Sequence, residues 1–387
     1  MNLIIVCRND IRKVIEVARA YYISKYLNRK NNVQVLCYKE RFFKNKEKIN
    51  LKLIFAPIFI DYIYYYCGSF LSNLLFDLWT SLKLIQLNKK TKIDWVYFFP
   101  ETFPLLGTSL SKMMGLKTVY DLESSTIQKK EFNDFKKKPI TDRMYKLIFK
   151  KIDHFFALTD GLKRELIDLY HISPQRISIN PDGVDLSLFN PEKVKKDDKF
   201  NLLYIGSISD LREIYCLVSA VGNLKEKIPN VHLKIIGHCY SKGYINKLYK
   251  LIDRLRMKET IKFEFDVLHS KIPSYISQAD VCFCLLKDIH SFRVSSPVKL
   301  FEYLAMNKVT ISTDMESTRN IIKDRYNGLL IKPVENENID ELISTIEEVY
   351  KNKILRKKIE ANARRSIKCY DWKMLVDQIE MRLRELK

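Results

Sequence analysis

The chain predicts an α/β fold built from two doubly wound, parallel-sheet domains. Three observations carry that expectation. Short apolar, β-branched runs alternate with helical periods from end to end. The length, 387 residues, suffices for two domains of ordinary size. The alternation also restarts after a polar, proline-containing stretch, NPEKVKKDDK, at residues 190–199.

In the first half the strand-like runs are Leu3–Cys7, Val33–Tyr38, Trp95–Phe99, Thr118–Asp121, His154–Leu158 and Ile177–Ile179. Helical periods lie between them at Arg12–Asn28, Tyr62–Leu87, Pro104–Met114, Ile140–Lys150 and Gly161–Tyr170. In the second half the strands are Asn201–Ile205, His232–Ile236, Ile261–Glu264, Val281–Leu285, Val309–Thr313 and Gly328–Ile331. Its helices are Glu213–Lys227, Ile245–Arg256, Lys271–Gln278, Pro297–Met306, Ile339–Tyr350 and Ile354–Lys368. The expected domains are residues 1–190 and 198–370, with a last helix in 371–387 packing back on the first. Such units bind ligands beyond the carboxyl ends of their strands.

Composition narrows the class. Hydrophobic residues at 47% and charged residues at 29% describe a globular chain, not a disordered one. Lys and Arg, 67 in all, exceed the 46 Asp and Glu, a net charge of +21 that favours anionic partners. The lysines are spread along the whole chain, so biased composition explains part of the surplus. No nucleic-acid motif accompanies the charge, and no specific nucleic-acid role is expected. The eight Cys show no CxxC spacing, and Cys282 and Cys284 alternate within an apolar strand, as small buried hydrophobes of a reducing compartment. The opening MNLIIVCRND reads as a first strand, not a signal peptide. No uninterrupted run of about 18 apolar residues is present, so no membrane-spanning helix is expected. The expected location is cytoplasmic, with peripheral contact at the inner face of the plasma membrane open through charge.

The segment SSPVKLFEY, Ser295–Tyr303, puts a loop before a helix. The first-turn N–H groups of a helix lack partners and favour anions. Lys299 stands in that first turn, and Glu302 follows on the same face. A cation for phosphate and a carboxylate for hydroxyls suit a sugar nucleotide; a solvated Lys–Glu pair is the alternative. In LLYIGSISDLREI, Leu202–Ile214, Gly206 ends a strand and Arg212 stands near the next helix start. Arg212 can fork onto a phosphate, or form a helix-capping ion pair. Gly237 closes the strand HLKIIGH. Thr159 suits an N-cap, Pro181-Asp182-Gly183 a turn, and Asp185 a cap of the next turn. The apolar stretch Ile58–Leu87, broken by Asp61 and Asp77, reads in two ways. It is an amphipathic surface for a lipid-linked acceptor, helped by the basic Lys129–Lys138, or a buried crossover helix beside a solvated loop.

Taken in order, YIGSIS with Arg212, LKIIGH, ADVCFCL, SSPVKLFEYLAMNKVTISTD and NGLLIKP resemble the segments of retaining, nucleotide-sugar-dependent glycosyltransferases of the GT-B fold, family four. NPDGVDLSLFNP and YDLESS resemble two further elements of that family. The resemblance covers most of the chain. It implies hexosyl transfer from a nucleoside diphosphate sugar to a glycan or lipid-linked acceptor in polysaccharide or glycoconjugate biosynthesis, without metal or other cofactor. By position, Arg212 matches the cation on the donor diphosphate, with Lys299 assisting. Glu302 matches the second Glu of E-x7-E, on the nucleotide ribose. Gly206, Ser207, Gly237, Ser295, Ser296, Pro297 and Val298 match the loops that approach the donor. Glu123 takes the place of a His in YDLESS and is the candidate to orient acceptor or donor sugar. The chain also departs from the pattern: Val294 replaces the first Glu of E-x7-E, and Ser207 replaces an Arg, with Lys299 or Arg293 as substitutes. A GT-B module that has lost catalysis and serves as a binding or partner subunit is the alternative.

Overall fold

The computed structural model describes residues 1–14, 18–39, 46–60, 63, 69–126, 139–191, 198–239, 241–334 and 339–387. They form two compact units, residues 1–182 with 372–387, and residues 183–371.

The first unit holds strands β1 (Asn2–Val6), β2 (Asn32–Cys37), β3 (Lys52–Phe55), β4 (Trp95–Phe98), β5 (Lys117–Leu122), β6 (His154–Ala157) and β7 (Ile177–Ile179). They form one parallel sheet in the order β3-β2-β1-β4-β5-β6-β7. Its helices are α1 (Ala18–Leu27), α2 (Ser69–Lys90), α3 (Leu105–Met113), α4 (Pro139–Lys151) and α5 (Asp160–Tyr170). β1 reads as a continuous apolar run because both faces of a parallel sheet are covered. Ile5 pairs with Val35 on one side and Tyr97 on the other. Thr159 caps α5, its hydroxyl accepting from Leu162 N at 3.2 Å. Asp77, the polar break in α2, turns inward and accepts from Leu106 N at 2.6 Å and Gly107 N at 2.9 Å. It caps α3 from a neighbouring helix.

The second unit holds β8 (Phe200–Ile205), β9 (Val231–Ile236), β10 (Ile261–Glu264), β11 (Val281–Cys284), β12 (Val309–Thr313) and β13 (Leu329–Ile331). Their parallel order is β10-β9-β8-β11-β12-β13, which reverses direction between β8 and β11. Helices α6 (Ile214–Leu224), α7 (Lys242–Arg254), α8 (Ile272–Gln278), α9 (His290–Arg293), α10 (Val298–Ala305), α11 (Glu316–Arg319), α12 (Asp340–Lys351) and α13 (Lys353–Ser366) flank it. Two apolar clusters fill the unit, one around Leu217, Ile235 and Phe283, the other around Cys282, Cys284 and Leu300. The final helix, α14 (Trp372–Glu385), joins the core of the first unit, where Trp372 stacks on Tyr22 at 5.5 Å.

Two expectations shift. Residues 183–190, assigned from sequence to the first domain, pack with the second. Arg364 gathers them by donating to Leu186 O at 2.9 Å, Phe189 O at 2.5 Å and Ala305 O at 2.6 Å. Asp185 caps their turn, accepting from Ser187 N and Leu188 N. The helix expected from Arg12 is described only from Ala18. Ahead of it, Asp10 draws the chain into a turn, held by Arg12 at 2.7 Å and Lys46 at 3.1 Å. Of the sequence features, Asp61 and the basic Lys129–Lys138 lie outside the described residues.

Candidate functional site

The second unit brings two strand-end glycines together at its reversal point. Gly206 leaves β8 with φ +140° and Gly237 leaves β9 with φ +158°, conformations that a Cβ strains. A Cβ on Gly237 would overlap the Gly206 carbonyl, and one on Gly206 would overlap the Lys299 ammonium. Gly206 N donates to Ile236 O and Ile208 N to His238 O, each at 2.9 Å. The loop then makes a short turn, Asp210–Arg212. The Arg212 guanidinium lies 4.3 Å from the centroid of the Phe292 ring and has no ion-pair partner among the described residues. It is not the helix-capping ion pair that the sequence left open.

α10 is tied to the end of β8 at two points a turn apart. The Lys299 ammonium sits 4.1 Å from the centroid of the Tyr204 ring and donates to its hydroxyl at 3.1 Å. Tyr204 in turn donates to Ser207 O at 2.8 Å. The Tyr303 hydroxyl accepts from Ile205 N at 2.8 Å. The Lys299 side chain is half-buried and meets no carboxylate within ion-pair distance among the described residues. Burial pushes the ammonium down to about 7; the neighbouring Arg212 charge lowers it further, against a raising pull from Cys284 and Glu302. Two cations thus stand near one another at the switch point, and among the described residues neither meets a carboxylate within ion-pair distance.

Glu302, three residues on, is no solvated partner of Lys299. It is buried, and its Oε1 lies 2.8 Å from Nε2 of buried His269. Phe189 packs its ring 5.4 Å from that imidazole, centroid to centroid. Glu302 Oε2 has no partner among the described residues.

The other sequence candidates divide. Ser295 donates to Phe292 O at 3.3 Å, and Ser296 and buried Pro297 lead into α10, with Val298 opening it. Pro297, at the N-cap, offers no side-chain bond to the first-turn N–H groups. Val294 is buried. Arg293 forks onto Asp288 at 2.5 and 2.7 Å, so it does not join Arg212 and Lys299. Glu123 belongs to the first unit, half-buried after β5, where its charge acts on Tyr97. Two concavities elsewhere on the second unit, of about 540 Å³ beside Tyr215 and Lys247 and about 440 Å³ beside Asn201 and His232, involve none of these residues.

Sequence reasoning missed His269, Tyr204 and Phe292. Tyr204 was open to view as the polar-tipped residue of a buried strand; nothing local marks His269. It also missed a buried ionic cluster in the first unit. Arg19 pairs with Asp121 at 2.9 Å and donates to Pro181 O at 3.0 Å and Asn180 Oδ1 at 3.2 Å. Tyr97 donates to the second Asp121 oxygen. Asp182 lies 3.6 Å from Arg19, and burial lifts its carboxyl to about 7 despite that cation.

Known proteins match along almost the whole length. Residues 188–366 match the family model for glycosyl transferases group 1, and residues 17–188 match that for glycosyltransferase family 4. A D-inositol 3-phosphate glycosyltransferase of Paenarthrobacter aurescens is 23% identical over 257 residues, 63% of this chain and 61% of that protein. A second one, from Kineococcus radiotolerans, is 26% identical over 35% of this chain and 34% of its own. The chain thus matches less than two thirds of either relative. An Escherichia coli UDP-Gal:alpha-D-GlcNAc-diphosphoundecaprenol alpha-1,3-galactosyltransferase is 22% identical over 73% of both chains. Among solved structures, a Rickettsia africae glycosyltransferase superposes with a TM-score of 0.76 at 16% identity, covering 100% of this chain and 98% of its own. Anabaena HepE in complex with UDP-glucose does so at 0.75 and 15%, covering 100% of both.

Proposed function

We propose, from the premise that the chain is a GT-B glycosyltransferase whose residues 17–188 match family 4 and 188–366 match group 1, that it moves a hexosyl group from a nucleoside diphosphate sugar to a glycan or lipid-linked acceptor with retention at the anomeric carbon. The observation that carries this reading is the pair of cations, Arg212 and Lys299, that meet no carboxylate within ion-pair distance among the described residues at the ends of β8 and β11.

In glycosyl transfer the bond from the anomeric carbon to the diphosphate breaks and a bond to the acceptor oxygen forms. Positive charge grows on the carbon and negative charge on the leaving diphosphate. Arg212, Lys299 and the unpaired N–H groups opening α10 meet that negative charge in fixed positions. Gly206 and Gly237 let the diphosphate approach the backbone. Glu302, oriented by His269 through Oε1, keeps Oε2 for the ribose hydroxyls. For retention, the acceptor attacks the face that the diphosphate leaves, and its proton passes to the departing phosphate oxygen. Glu123 orients the acceptor or the donor sugar. The protein cations do the work for which other transferases use a metal. The diphosphoundecaprenol in the name of the Escherichia coli relative supports a lipid-linked acceptor, met at the cytoplasmic face of an anionic membrane.

Val294 and Ser207, each standing where the family pattern has a charged residue, favour a second reading, a module that binds nucleotide without turnover. Nucleoside diphosphate release from a panel of sugar nucleotides separates the two. Turnover that falls at least roughly 10²-fold in Arg212→Ala supports transfer. Binding without turnover supports the second reading, and no nucleotide binding at all overturns both.

A further inference from the structure

α2 of the first unit carries apolar residues on its outward side as well as its buried one. Its buried side carries Phe76 and Leu84 together with Ser72, Asp77, Thr80 and Ser81, whose polar groups are occupied by the chain itself. Its outward side carries Phe70, Leu74, Leu78 and Leu82, which are 62%, 42%, 46% and 59% exposed. These four recur every fourth residue and form one stripe over three turns. A helix facing water places its polar residues outward. An apolar stripe of this length marks a surface that something apolar covers.

The surrounding charge identifies the cover. α2 ends in exposed Lys89 and Lys90. α3 and α4, which pack beside it in sequence, expose Lys112, Lys146 and Lys150. None of these lysines is in an ion pair among the described residues, and the one carboxylate whose side chain is described on the three helices, Asp77, is buried. A second copy of the chain would bring the same cations face to face across a two-fold contact. A sheet of anionic headgroups over acyl chains meets both features at once.

We infer that the outward face of α2 is a membrane-docking surface, with Phe70, Leu74, Leu78 and Leu82 entering the acyl boundary of an anionic leaflet and Lys89 and Lys90 meeting its headgroups. Interfacial helices bind by this combination of apolar insertion and basic flanks. The inference deepens the lipid-linked acceptor proposed above and rests on that reading for its purpose. Binding itself needs neither donor nor turnover, so each fails separately.

The test is co-sedimentation of the full chain with phosphatidylcholine vesicles, with and without phosphatidylglycerol. The wild type should bind the anionic vesicles and hardly the neutral ones. The double variant Leu78→Glu, Leu82→Glu should bind about tenfold less, or worse, because two inserted side chains become anions. The pair Lys89→Glu, Lys90→Glu should lose the preference for anionic lipid. All four positions are surface ones, so melting temperature and soluble nucleotide binding should stay unchanged. Equal vesicle binding by wild type and both variants overturns the inference, as does no binding by the wild type. A wild-type dimer that Leu78→Glu, Leu82→Glu dissolves, without vesicle binding, overturns it in favour of a second copy.

Discussion

Lys299 gives nucleotide binding a pH dependence of definite sign. Its ammonium is pushed down to about 7, where an unburied lysine titrates near 10.5. Without ligand, Lys299 therefore loses its proton as pH rises through about 7. A bound diphosphate supplies the anion that the protein withholds and restores that proton. The apparent Kd then weakens with pH, by a factor growing from about 1.1 near pH 6 to about 11 near pH 8, a roughly tenfold loss. Near pH 8, binding should take up about 0.9 proton. Isothermal titration of a nucleoside diphosphate sugar in two buffers of different ionisation heat reads both quantities, since the donor's diphosphate stays ionised throughout. Lys299→Met should bind more weakly near pH 6 and show a flat profile. Lys299→Arg should hold its affinity near pH 8. The stability of the unliganded chain carries the opposite trend. Between about 7 and 10.5 the unfolded lysine keeps a proton that the folded one has lost, so this group makes stability rise with pH. A flat wild-type binding profile, or proton release on binding, refutes the reasoning.

Other substitutions follow from single contacts. Arg212→Ala removes a cation with no ion-pair partner among the described residues, so the barrier behind kcat should rise by about 3 kcal/mol while the melting temperature barely moves, as steady-state kinetics and calorimetry would show. His269→Ala strips the partner from a buried Glu302 and should cost about 1–3 kcal/mol in chemical denaturation. It should also weaken nucleotide binding, and His269→Gln should recover part of both. Gly237→Ala drives a methyl into the Gly206 carbonyl and should lower stability and donor affinity together, measured by the same two assays. Arg19→Met leaves Asp121 and Asp182 buried without their cation and should destabilise the first unit by roughly 3–5 kcal/mol in urea unfolding.

The architecture was open to sequence reading because buried parallel strands are apolar on both faces. Val281–Cys284 and Val309–Thr313 announce themselves by run and length alone. β3, Lys52–Phe55, did not, since an edge strand that is half-exposed needs no such run. The donor-side candidates Gly206, Gly237, Arg212 and Lys299 were marked by the family resemblance, and the structure brings them to one end of one sheet. What sequence hid was partnership. Glu302 and His269 meet across 33 residues, with no local pattern to link them. Arg293 looked like a spare cation until its fork onto Asp288 was seen. α2 fits a buried crossover helix by composition; only the fold shows Leu74, Leu78 and Leu82 facing outward while Ser72, Thr80 and Ser81 face inward.

The central claim is that the second unit holds a diphosphate between Arg212 and Lys299. The most direct measurement is calorimetric binding of a series of nucleoside diphosphates to the wild type, Arg212→Ala and Lys299→Met. The account predicts that one nucleotide class binds the wild type, raising its melting temperature, and that each substitution weakens that binding at least tenfold without unfolding the chain. Equal affinity in all three proteins, or none in the wild type, would contradict it.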